Sequence, residues 1–153
     1  MSDTYAIRLP SPRVLAALLA GGLAADLAWE VWARVITPAV LGGPLQPAAL
    51  ILSLFRLPTD YYLHAEVLHV ITGLAFYPMV FWAIRTWLYA GTRLLDGLII
   101  GVFTWILALG VFAPLAGLPF MLGFIPLSWM SGIGHVLYGL ALSYAFRAAA
   151  RNA

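Results

Sequence analysis

Apolar residues gather into four runs, and polar residues mark the ends of each. The runs are Val14–Ile36, Ala65–Ile84, Leu94–Ala113 and Leu127–Phe146. As helices rising 1.5 Å per residue, all four are long enough to cross a hydrocarbon layer of about 30 Å. The pattern predicts an all-α integral membrane four-helix bundle forming a single transmembrane domain. Arg13 followed by "VLAALLAGGLAA" has the form of a signal peptide, but the apolar run continues past Asp26 through Trp29, Val31 and Trp32. A retained helix is therefore expected.

The connections carry their own pattern. Between the first two runs, "LQPAALILSLFRL" is apolar, too short to span, and bounded by Pro47 and Pro58. It predicts a short interfacial helix in the first outer loop, followed by a headgroup-level belt at Tyr61 and Tyr62. Arg8, Arg13, Arg85, Arg93, Arg147 and Arg151 fall on one side of the runs, and only Arg34 and Arg56 on the other. By the positive-inside rule both termini are cytoplasmic.

Two phrases recur. "HVITGLA" begins at His69 and "HVLYGLA" at His135; "RVLAALLAG" begins at Arg13 and "RLLDGLIIG" at Arg93. The repetition predicts two tandem helical hairpins of like orientation, related by an axis along the membrane normal.

Composition agrees with lipid as the solvent. The 153 residues are 63% hydrophobic and 9% charged, against roughly 25% charged in soluble domains. All eight basic residues are arginines at helix ends, with no cluster of the kind nucleic acid requires, so nucleic acid is excluded as a partner. The lipid bilayer is the expected partner, with a larger membrane complex or a homo-oligomer as the others. The absence of cysteine removes disulfides, thiolate ligands and thiol catalysis.

Ionisable groups inside a membrane usually face protein and have partners, because exposure to lipid is costly. Six stand out: Asp26, Glu30, His64, Glu66, His69 and His135. Counted from the outer ends of their helices, Glu30, His69 and His135 share a depth of about 9–12 Å. Glu66 and His69 have the Glu-x-x-His spacing that aims a carboxylate and an imidazole at one point. Gly73 and Gly139 each follow their histidine by one turn, which leaves room for a close helix contact or a flat ligand.

The set predicts a metal ion (Fe, Zn, Cu or Mn) held by Glu30, Glu66, His69 and His135, with redox chemistry among the roles such an ion could serve, and with Asp26, His64 and Ser131 as supporting or alternative ligands. One alternative is an accessory or scaffold subunit with no cofactor, its polar groups acting only between helices. Another is a b-type haem with His69 and His135 as axial ligands. Proton or ion passage is disfavoured, since nothing comparable to this cluster continues to the cytoplasmic side; Asp96 at the cytoplasmic start of the third run reads as an ordinary helix N-terminal charge. Ser131 stands one turn before His135 and reads as seating that imidazole or bonding its own helix rather than as a nucleophile. No motif assigns a reaction. The C-terminal third, "GHVLYGLALS" after "APLAGLPFMLGF", resembles uncharacterised small bacterial four-span integral membrane proteins. That resemblance implies a bacterial inner membrane.

Overall fold

The structure, a computed structural model, describes residues 9–88 and 91–151; Arg8, one of the arginines behind the expected topology, lies outside them. The described residues form helices and connecting turns, with no strand among them. Three helical runs are long and apolar enough to cross a membrane: Pro12–Leu41, Thr59–Thr86 and Arg93–Leu115. The fourth expected span is a helix, Pro126–Arg151, but it is not among these three. Its buried face sets Ser128, Ser131, Gly132, Gly134, Gly139 and Ser143 among Met130, Tyr138, Leu142 and Phe146. Such a face lowers the hydropathy of a helix while suiting it to close packing.

The first run contains α1 (Pro12–Val31) and α2 (Thr37–Leu41). Ser11 caps α1 by accepting the Val14 N–H at 3.4 Å, and Pro12 occupies the first helical position, where its missing N–H costs nothing. Gly42, at φ 78°, closes α2 in the left-handed conformation. α3 (Pro47–Phe55) is the short helix of the first outer connection; its Ala48 and Leu52 pack on Ala65. The second run contains α4 (Tyr62–Ile71) and α5 (Tyr77–Ala83), and the third α6 (Arg93–Trp105) and α7 (Ala113–Leu115). α8 (Pro126–Arg151) ends the described chain.

Proline accounts for three of the four π-helical segments among the described residues; the fourth, Ile84–Leu88, has no proline close after it. Trp32–Ile36, Thr72–Phe76 and Ile106–Phe112 are π-helical, and each leads into a helix with proline at its second residue: Pro38, Pro78 and Pro114. A proline inside a helix offers no N–H and crowds the carbonyl four residues back, and widening the preceding turn relieves this. The Thr37 hydroxyl donates to the Trp32 carbonyl at 2.9 Å. The Leu74 carbonyl, which Pro78 cannot reach with an N–H, lies against Gly22 of α1 so closely that a Cβ there would overlap it.

α8 packs extensively on both α1 and α6. The second run lies along α1 and reaches α8 through the Tyr77–Tyr138 and Phe81–Phe146 ring pairs. Ala17, Leu18, Ala25, Trp29, Ile100, Tyr138 and Leu142 belong to the main core. On the opposite side of α1, Leu19, Leu23, Leu27 and Val31 form an exposed stripe at four-residue spacing. A water-soluble helix would carry polar residues there, and an apolar solvent explains the inversion. The connection before α8 contains a left-handed turn, with positive φ from Met121 to Phe124. Met121 is buried beside Leu109 and Ala113, and the Trp129 indole donates to the Phe124 carbonyl at 3.1 Å.

Candidate functional site

Glu30 and Arg34 occupy one face of the first run, one turn apart. Arg34 pairs with Glu30 through its Nε and with Glu66 of α4 at 2.5 Å through a terminal nitrogen. One guanidinium thus joins the two carboxylates across two helices. By sequence alone Arg34 is an outer-side charge. Its i, i+4 spacing from Glu30 was the available signal.

Trp29 organises the level just inside this ion triplet. Its buried indole lies 5.8 Å from the His69 ring and 4.6 Å from the His135 ring, centroid to centroid. His135 is seated by its own helix: Nδ1 lies 2.8 Å from the Ser131 carbonyl and 3.3 Å from the Ser131 hydroxyl. A donated Nδ1–H to that carbonyl leaves Nε2 as the lone-pair nitrogen. Among the described residues, His69 Nδ1, Glu66 Oε1 and Asp26 Oδ2 are buried without a hydrogen-bond partner. His64 is exposed and packs against Tyr61 at 5.5 Å. No group of three His, Cys, Asp or Glu side chains among the described residues is disposed to hold a metal ion.

The two glycines that follow the repeated histidines are both closed by a neighbouring helix. Gly73 faces the Asp26 carboxylate of α1, and its carbonyl accepts the Tyr138 hydroxyl at 2.5 Å. Gly139 faces the backbone of Gly97 and Gly101 on α6. Of the two uses predicted for these positions, helix contact is the one they serve here.

Tryptophans clamp the start of α8. A Cβ on Gly132 would lie 3.0 Å from the Trp105 ring, and one on Gly134 2.6 Å from Trp32 and 2.8 Å from Trp29. The Trp32 and Trp105 indoles donate to the Met130 and Ser128 carbonyls at 2.7 and 3.2 Å. "SGIG" is therefore a docking surface for indoles from the first and third runs.

Asp96 departs from the expected ordinary N-terminal charge. It is 5% exposed and accepts the Gly91 N–H at 2.9 Å, Arg147 at 2.5 Å and Arg85 at 3.4 Å. Arg147 also donates to the Gly91 carbonyl. A carboxylate this buried requires counter-charge, and two arginines from other helices supply it. The chain thus carries a second charged cluster, at the end where α6 begins and α8 finishes. Compared with known protein families, curated proteins and solved structures, the chain matches none.

Proposed function

We propose that this is a multi-pass protein of a bacterial cytoplasmic membrane, with four helices crossing as two tandem hairpins, α3 at the outer interface and both termini inside. Arg85, Arg93, Arg147 and Arg151 line one cavity at one end, while Arg34 belongs to the outer ion triplet, in keeping with that orientation. The matched roles of Gly73 and Gly139, each meeting a neighbouring helix, support the two-hairpin reading. We further propose that the outer polar cluster joins helices and that the chain acts as an accessory subunit, in a larger membrane complex or with copies of itself. The observation that carries this is Arg34 between Glu30 and Glu66: the carboxylates find their counter-charge within the chain. Purification in a mild detergent followed by native mass measurement tests it. An assembly larger than one chain is expected. A monomer carrying one metal ion would overturn it.

A second reading has its own observation. Glu66 Oε1 and His69 Nδ1 are buried without partners, and the seated His135 is oriented as metal-binding histidines are. A single ion that drew Glu66, His69 and His135 together, from positions in which they form no ready-made cluster, would account for all three, and Glu30 would then remain with Arg34. The b-type haem would need Trp29 to leave both imidazoles, and a Soret band from the purified protein would report it.

A further inference from the structure

A cavity of about 390 Å³ opens at the end of the molecule opposite Arg34. Four arginines from three stretches of chain line it: Arg85, Arg93, Arg147 and Arg151, with Trp82 and Phe146 supplying part of an apolar wall. Among the described residues Asp96 is the one carboxylate paired with any of them, and it takes only Arg85 and Arg147. The Arg93 guanidinium lies over the Tyr144 ring at 5.9 Å, and Arg151 Nε donates to the Arg147 carbonyl at 3.2 Å. Neither has an acidic partner among the described residues. Arg147 Nε is buried without an acceptor.

Helix-end arginines that serve only as topology anchors extend separately toward water. Here they converge on one recess with an excess of positive charge and an apolar side. Guanidinium groups present forked donors that match phosphate oxygens, and basic recesses between membrane helices suit anionic headgroups. We propose that this cavity binds a phosphate-bearing anion, with the headgroup phosphate against the arginines and the adjoining glycerol or acyl portion against Trp82 and Phe146. The lipid as source rests on the membrane reading; the anion site itself does not.

The test uses the full-length protein in a neutral detergent, supplied with equimolar phosphatidylglycerol and phosphatidylcholine. Retained lipid is counted by native mass spectrometry, and inorganic phosphate binding is measured by calorimetry. Phosphatidylglycerol should be retained over phosphatidylcholine by about tenfold or more. The double variant Arg93→Gln/Arg151→Gln, which spares both Asp96 pairs, should lose that preference, and Arg93→Lys/Arg151→Lys should keep most of it. Displacement of the lipid by millimolar inorganic phosphate assigns the site to free phosphate; lipid retention in its presence assigns it to the headgroup. Equal retention of both lipids by the wild type, with no heat of phosphate binding, overturns the proposal whether or not the variants fold. A preference that survives in the Gln double variant also overturns it.

Discussion

The Trp29 indole meets the His135 imidazole in a T-shaped contact, with ring centroids 4.6 Å apart and planes at 69°. The same indole reaches His69 of the second run, so one aromatic side chain touches the histidine of each repeated phrase. Trp29→Ala should therefore loosen α1 from both neighbours. Removing a buried tryptophan costs about 3–5 kcal/mol. A large fall in melting temperature in detergent is expected, with a smaller fall for Trp29→Phe. Equal melting of wild type and Trp29→Ala would contradict the packing role.

Arg34 should matter through its charge. Arg34→Gln leaves Glu30 and Glu66 facing each other without a cation. With 49% of the Arg34 side chain exposed, solvent screens part of the effect, and a loss of about 1–3 kcal/mol is expected, between exposed and buried pairs. Adding Glu30→Gln and Glu66→Gln should restore most of that loss. A triple variant no more stable than Arg34→Gln alone would show that the residue acts by packing.

Gly139 should not tolerate a side chain. A Cβ there would meet Gly101 N at 2.7 Å and Gly101 Cα at 2.9 Å, backbone atoms that cannot swing aside. Gly139→Ala should destabilise by about 1–3 kcal/mol, through forced separation of α6 and α8. Gly43→Ala is the control, since nothing lies within 4 Å of its added carbon. Thermal melts that rank these two substitutions equally would contradict the contact.

Arg56 ends α3 at φ 53°, and the Leu57 N–H returns to the Leu52 carbonyl at 2.9 Å. This is a helix end that favours glycine. Arg56→Gly should stabilise the protein by about 1 kcal/mol, because an L side chain is strained in that conformation. A lower melting temperature for the variant would contradict this.

Local signals carried well from sequence to structure. Helix content and the short α3 were legible because each depends on neighbours within a turn or two, whereas Gly73 and Gly139 signalled a close contact without naming Asp26, Gly97 and Gly101, which make it. Partners distant in the chain were not. Asp96 resembles any acidic residue in a first helical turn until Arg147, 51 positions away, is found against it. Glu66 resembles an unpaired ligand until Arg34, 32 positions earlier, is found against it. The π turns did leave a trace in Pro38, Pro78 and Pro114, each well inside an apolar run or at its outer end. The three-helix count reflects α8 itself: its serines and glycines are buried between α1 and α6 and lower its hydropathy, while Trp129, Ile133, Leu137 and Tyr144 form its exposed face.

The central claim is that the two outer carboxylates are paired within the chain, by the shared Arg34, and join helices rather than hold an ion. Elemental analysis of purified wild type, His69→Ala and His135→Ala tests it most directly. The account predicts far less than one metal ion per chain in all three proteins. One ion per wild-type chain, lost in both histidine variants, would contradict it.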